Sequence, residues 1–139
     1  MIHKRDTIAN ILTSFPGFIK NWNAHQLFWE GEDAGLCNDL GEFQRYIESL
    51  FLVAEPPLTT IASAFVLVEK LLCEGDQEVQ NAAATCFLEN FLNRGFVSVD
   101  QFINHLGPKS YAYCRAWDEF TGVDSDNSML ESSVSKPFA

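Results

Sequence analysis

The sequence lacks the short motifs that mark common catalytic sites. It has no G-x-S-x-G, no glycine-rich phosphate loop and no H-E-x-x-H, and no cysteine has an identifiable histidine partner. An enzyme would have to build its site from scattered carboxylates, whose spacing orders no acid, base and nucleophile. We therefore expect a protein that is not an enzyme.

Basic residues are scarce. Nine Lys and Arg stand against 19 Asp and Glu, which gives a formal net charge of -10. This charge repels polyphosphates, so it argues against nucleic acid or an anionic membrane as the main partner. A basic protein would be attracted instead, although acidity that merely keeps the protein in solution is the simpler interpretation.

Long apolar runs are also missing. No segment reaches the roughly 18 uninterrupted apolar residues of a membrane span. The N-terminal segment carries Asp6 and Asn10 where a signal peptide would have its apolar core. We therefore predict a cytoplasmic protein.

The cysteines and histidines have no metal-binding spacing. The four cysteines are far apart without a C-x-x-C, and the three histidines do not pair with them, so we predict no metal and no cofactor. We expect structural thiols, with Cys73, Cys86 and Cys114 in or at the end of helical apolar stripes. Cys73 and Cys86 could approach each other across a helical pair, but a reducing compartment would keep them as thiols.

Helical periodicity and aromatic residues are abundant. Hydrophobic residues make up 47% of the 139 positions, with 12 Phe and 3 Trp. Their three- and four-residue spacing predicts an all-α fold of six to seven helices arranged as antiparallel hairpins. The predicted helices span about residues 3–14, 18–29, 39–54, 58–74, 77–93, 99–106 and 108–121. We expect one domain over residues 1–121 and a flexible polar tail over residues 122–139.

The segment 58–93 is the predicted structural centre, a pair of antiparallel helices that resembles a single HEAT-type hairpin. In the first helix Ile61, Phe65 and Val68 fall on one apolar face. Gly75 is a residue type that tolerates a left-handed helix end, and Asp76 can cap the next helix. No second copy of the hairpin occurs at a fixed period, so a repeat array is not indicated.

An acidic loop precedes the third predicted helix. The segment 30–38 has two glycines and no helical periodicity, and it does not match the spacing of a calcium-binding loop. No basic residue lies among its carboxylates and those that follow, which are Glu30, Glu32, Asp33, Asp39 and Glu42. They form either a solvated loop, with Asp39 at a helix N-terminus, or a surface that attracts a basic partner.

An aromatic stripe lies just before this loop. Trp22, His25 and Trp29 share one face of the second predicted helix, and Leu27 and Phe28 widen it. Aromatic side chains are normally buried, so the stripe is either core or an anchor for a partner.

Three segments resemble a small, uncharacterised all-helical bacterial family. They are FPGFIKNW, EGDQEVQNAAATCFLENFL and HLGPKSYAYCRAWDEF, and the resemblance covers roughly residues 8 to 121. The shared features are a Gly-Asp turn, Val-x-Asn, Phe-Leu-Glu and Leu-Gly-Pro-x-Ser. Most of these positions have plain roles as turn, cap or core. Asn81 and Glu89 are surplus to packing, and at eight residues apart we expect them to project from nearly the same face.

This family resembles the immunity proteins that accompany secreted bacterial toxins. The resemblance implies a protein that binds and neutralises a cognate toxin, and the acidity makes a basic toxin domain the expected partner. The predicted partner-binding residues are Trp29, Glu30, Glu32, Asp33, Asp39, Glu42, Asn81 and Glu89. The alternative is a non-catalytic adaptor or assembly module that uses a helical-hairpin surface with exposed aromatics. In either case we expect a monomer or weak homodimer that binds neither nucleic acid nor membrane.

Overall fold

The computed structural model describes the backbone of residues 1–121 and the side chains of residues 1–118. Over this part of the chain it contains helices and no β-strand, which confirms the predicted all-α fold. The predicted tail, residues 122–139, lies outside the described residues. Helical spacing predicts that Phe120 lies on the inner face of the last helix with Trp117, but the side chain of Phe120 is also outside the described residues.

Helices account for most of the described chain. They are α1 (Lys4–Ser14), α2 (Ile19–Phe28), α3 (Leu36–Phe51), α4 (Leu58–Glu74), α5 (Gln77–Ala82), α6 (Glu89–Arg94), α7 (Val99–Phe102) and α8 (Pro108–Thr121). Short 3₁₀ turns, Pro16–Phe18 and Ile103–His105, lie before α2 and after α7. A π-helical segment, Ala83–Leu88, joins α5 to α6 without a break. None of the helices described is long and apolar enough to span a bilayer.

Phenylalanines on α3, α4, the π-helical segment and α6 form the centre of the core. Phe87 lies at the centre, with ring centroids 5.8 Å from Phe43, 5.5 Å from Phe65 and 5.3 Å from Phe91. All four side chains are almost completely buried. Burial of one such side chain contributes about 1.5–3 kcal/mol to folding, so this cluster fixes the positions of the helices around it.

The turn between α4 and α5 confirms one prediction and corrects another. The Asp76 carboxylate accepts a hydrogen bond from the N–H of Val79 at 2.9 Å, as expected of an N-cap. Gly75, however, has a φ of -73°, so it is not left-handed. A Cβ at Gly75 would lie 2.5 Å from the carbonyl oxygen of Leu71 and from the side chain of Val79. Glycine is thus required here by close packing.

The π-helical segment changes the orientation of the residues that follow it. A π-helix has wider turns than an α-helix, so it rotates α6 relative to α5. Asn81 is exposed, whereas Glu89 is buried. The prediction that these two side chains share one face is therefore wrong.

The cysteine prediction is wrong for two of the four residues. Cys37 and Cys86 form a disulfide, with Cα atoms 5.3 Å apart, which ties the start of α3 to the π-helical segment. Cys73 is a free thiol, but it is exposed and does not approach Cys86. Cys114 is a buried free thiol, as expected. The sequence does not reveal this disulfide, because 49 residues separate the two cysteines and no local pattern pairs them.

A carboxylate on α4 positions α8. Glu69 accepts hydrogen bonds from the backbone N–H groups of Lys109 (3.0 Å) and Ser110 (2.9 Å) and from the Ser110 hydroxyl (2.8 Å). A Cβ at Gly107 would lie 2.5 Å from the Glu69 carboxylate. The Leu-Gly-Pro-x-Ser motif is therefore the docking element of α8 on α4.

Candidate functional site

A pocket lies between α2, the loop of residues 29–35 and the start of α3. Its volume is about 310 Å³, and α1 contributes to its wall. Four of the eight predicted partner-binding residues line it, together with several outside that set. The four are Trp29, Glu32, Asp33 and Asp39, and the others include Lys4, Trp22 and His25. We call this cavity the α2–α3 pocket.

A buried histidine–aspartate pair forms the inner wall of the α2–α3 pocket. His25 Nε2 lies 2.9 Å from Asp39 Oδ1, and the two residues are only 7% and 6% exposed. Burial of a carboxylate is costly unless it is paired, and His25 supplies the partner. Asp39 is therefore committed to His25 and does not cap α3. That helix begins earlier, at Leu36, after Gly35 in a left-handed conformation.

The aromatic side walls are half-buried. The ring of His25 lies 5.6 Å from that of Trp22 and 6.4 Å from that of Trp29, measured between centroids. Trp22 also contacts the core through Phe18, at 6.3 Å. These rings pack on the protein and also line an open pocket, so they are only partly core, and their use as an anchor for a partner stays a prediction.

The rim of the α2–α3 pocket carries an ion pair. Lys4 Nζ lies 2.6 Å from Asp33 Oδ2, and the other oxygen of Asp33 accepts a hydrogen bond from the Gly35 N–H. The hydrogen bond between the two side chains raises the pKa of Lys4 and lowers the pKa of Asp33. Glu42, next to the pocket, pairs with Arg45 at 2.8 Å. Asp33 and Glu42 thus have basic partners from outside the acidic segment, and the linear sequence does not show the first of these pairs.

Glu30 and Glu32 differ from these carboxylates. Both are exposed, and no cation among the described residues pairs with either. Glu30 has a φ of 54°, in the left-handed region that non-glycine residues rarely occupy. This turn ends α2, because the N–H of Gly31 donates to the carbonyl of Gln26 at 3.0 Å. The backbone thereby holds at the protein surface two carboxylates that no cation in the described part of the chain neutralises.

Two large apolar side chains lie directly before these carboxylates. Leu27 and Phe28 are 79% and 78% exposed at the end of α2. Both residues lie at the margin of the apolar stripe, and their position one step off the Trp22–His25–Trp29 face is the sequence signal that indicates their exposure. We call the surface formed by Leu27, Phe28, Trp29, Glu30 and Glu32 the α2 tip.

The remaining predicted residues lie elsewhere. Asn81 lines a second concavity of about 560 Å³ beside the Cys37–Cys86 disulfide, and it accepts a hydrogen bond from Gln77. Glu89 accepts a short hydrogen bond from the Tyr113 hydroxyl in the interior. Burial and this carboxylate raise the pKa of Tyr113 to about 12. Glu89 is therefore a structural residue in this arrangement.

The fold and these surfaces define a small all-helical domain with an exposed apolar and acidic tip. Residues 8–122 match the family model described as "Domain of unknown function (DUF7674)". The chain belongs to this family, over nearly the same range as the resemblance seen in the sequence. No curated protein and no solved structure matches it.

Proposed function

We propose that this protein is an immunity protein that binds a cognate bacterial toxin in the cytoplasm and neutralises it by protein–protein contact at the α2 tip. The observation that carries the proposal is the exposure of Leu27 and Phe28 beside Glu30 and Glu32, two carboxylates that have no cationic partner within the described part of the chain. The resemblance noted in the sequence supplies the class of partner.

The chemistry of the α2 tip suits a basic protein domain. Exposed aromatic and aliphatic side chains become binding hot spots when a partner covers them and excludes water. The neighbouring carboxylates, on a chain with a net charge of -10, attract a positively charged surface and accelerate its association. A basic toxin domain, such as a nuclease, would be blocked if this tip covered its positive active site.

The test combines binding with protection. A basic protein captured from the source organism is expressed alone, where it should be toxic, and then with this chain, which should restore growth. The double variant Leu27→Ser/Phe28→Ser should neither bind this basic protein nor restore growth. The matched control is Leu58→Ser/Val66→Ser, which changes two other exposed apolar side chains, 62% and 69% exposed on α4.

Two results would overturn the proposal. One is full protection by the Leu27→Ser/Phe28→Ser variant. The other is equal loss of protection in the α4 control variant, since that would place the partner elsewhere or indicate a general effect of lost apolar surface.

The alternative is an adaptor or assembly module. It is favoured by a second exposed apolar surface, a shallow concavity of about 540 Å³ on α4 that includes Leu58, Val66 and His105. Light scattering over a range of protein concentrations distinguishes the two. Concentration-dependent dimers that disappear in Leu58→Ser/Val66→Ser would favour the assembly function, whereas a monomer at all concentrations would favour immunity.

A further inference from the structure

We propose that the α2–α3 pocket binds one cationic side chain, an arginine or a lysine, of the basic partner. This inference rests on the proposed function, since it assigns the pocket beside the α2 tip to a specific group on the toxin. A pocket of about 310 Å³ is at the lower end of the range for ligand sites, about 300–1,000 Å³. It therefore suits a single long side chain better than a helix or a large ligand.

The aromatic walls provide the first argument. Trp22 and Trp29 line the pocket on either side of His25, with ring centroids 5.6 and 6.4 Å from the imidazole. Tryptophan has the strongest attraction for a cation among the aromatic side chains, through the negative face of its ring. An Arg or Lys also has an apolar stem that packs on such rings while the charged group stays near water.

The carboxylates provide the second argument. Glu32, Asp33 and Asp39 line the same cavity, and Asp39 is held in place by its buried contact with His25. A phosphate or carboxylate ligand would be repelled by these groups. No cluster of three or more potential metal ligands exists among the described residues, so the acidic lining does not indicate a metal site.

The third argument is that a cation already lies at the rim. Lys4 Nζ is 2.6 Å from Asp33 Oδ2, and Lys4 itself lines the pocket. This pair demonstrates that the rim accommodates an ammonium group. Both members are solvent-accessible, so the pair is weak enough to exchange. We infer that the incoming side chain replaces Lys4 as the partner of Asp33.

The experiment uses N-acetyl-arginine methylamide as the probe, titrated into the full chain and followed by the NMR signals of the indole N–H groups. The signals of Trp22 and Trp29 should shift and saturate, whereas that of Trp117 on α8 should not. The control probe is N-acetyl-citrulline methylamide, which has nearly the same shape without the charge, and N-acetyl-lysine methylamide distinguishes guanidinium from ammonium binding. Phe substitutions at the tryptophans assign the signals.

Two variants give opposite expected results. Asp33→Asn should weaken binding about three- to tenfold, because it removes the ionic partner at the rim. Lys4→Met should strengthen binding about threefold, because it removes the competing cation. Both changes are at exposed or partly exposed side chains, so each variant should fold normally, which circular dichroism checks.

The inference is overturned if citrulline shifts the same signals as strongly as arginine does, if neither charged probe shifts Trp22 and Trp29, or if Lys4→Met weakens binding. Its failure can be told apart from failure of the proposed function. If no probe binds but Leu27→Ser/Phe28→Ser abolishes protection, only the pocket assignment is wrong. If arginine binds as described but no toxin is bound, the cation pocket stands and the immunity function is wrong.

Discussion

The carboxylates of the helical core and those of the α2 tip differ in what they contact. Glu48 and Glu69 each accept several hydrogen bonds from groups distant in sequence, while Glu30 and Glu32 have no cationic partner among the described residues. The first two hold helices together, and the last two remain available to another molecule. The same residue type thus serves the fold in one region and, we propose, recognition in the other.

The Cys37–Cys86 disulfide ties the start of α3 to the π-helical segment of the core, and its loss should have the largest effect on stability. It closes a loop defined by a separation of 49 residues. A loop of this size should stabilise the fold by about 3–4 kcal/mol, by restricting the unfolded chain. Denaturant unfolding of Cys37→Ser, or of the reduced protein, measures this difference, with Cys73→Ser at the exposed free thiol as the control.

Thiol counting checks the same bond independently. Under denaturing conditions the untreated protein should show two reactive thiols, from Cys73 and Cys114, and four after reduction. Four thiols without reduction would contradict the disulfide. That result would restore the sequence-based expectation of free thiols in a reducing cytoplasm, where disulfides are rare.

The next largest effect should come from Glu48. This side chain is 4% exposed and accepts three hydrogen bonds from Arg94, two from Nε at 3.1 and 3.0 Å and one from Nη2 at 2.9 Å. Glu48→Ala should lower the free energy of unfolding by about 2–3 kcal/mol, because it leaves a partly buried guanidinium without its partner. The double variant Glu48→Ala/Arg94→Ala should recover part of the loss. Glu55→Ala, at an exposed position, should change little and serves as the control.

Glu69 should give a smaller effect that depends on pH. Burial raises the pKa of this carboxyl, but hydrogen bonds from the Ser110 and Lys109 N–H groups outweigh burial, so the pKa in the folded state is lowered. Glu69→Gln should cost about 1–2 kcal/mol at neutral pH. The stabilisation by the Glu69 carboxylate is complete above the ordinary Glu pKa of about 4.3. It is lost as the pH falls through the lower pKa that this group has in the folded state.

Urea unfolding of the parent and of Glu69→Gln at pH 7 and pH 3 tests this linkage. The difference between the two proteins should be smaller at pH 3, which is below the ordinary Glu pKa, because protonation of the unfolded chain then opposes folding of the parent. An equal difference at both pH values would show that Glu69 acts through packing alone and not through its charge.

Glycine substitutions at the α2 tip should change the free energy of unfolding by less than about 1 kcal/mol, and the sign should differ between positions. Glu30→Gly should raise the free energy of unfolding by a few tenths of a kcal/mol. Glycine relieves the strain of the left-handed backbone at a φ of 54°, and the greater flexibility of the unfolded chain offsets part of this gain. Glu32→Gly, at a position without a positive φ, should be destabilising and is the matched control. Thermal unfolding measures both, and equal effects would contradict a strained backbone at Glu30.

The smallest stability effect should come from neutralising both carboxylates without changing their shape. Glu30→Gln/Glu32→Gln should leave the unfolding free energy unchanged within about 0.5 kcal/mol. It should nevertheless slow association with the proposed toxin partner and flatten the dependence of that rate on salt. If association is as fast as for the parent, the acidic residues have no role in recognition.

The fold could be predicted from the sequence further than the site could. Helical stripes such as Ile61, Phe65 and Val68 repeat within a few residues, so the sequence reveals which face is buried. Lys4 and Asp33 lie 29 residues apart, and no local pattern pairs them. The disulfide was missed for the same reason, and the π-helical segment because its wider turns have no distinctive composition.

The contact between Gly107 and Glu69 also limits how this family can change over time. A side chain at position 107 is excluded only as long as the Glu69 carboxylate occupies that space. A relative that loses the carboxylate is released from the need for glycine and must anchor α8 in another way. We therefore expect these two positions to vary together among family members, so that the Leu-Gly-Pro-x-Ser signature and an acidic residue on the earlier helix are inherited or lost as a unit.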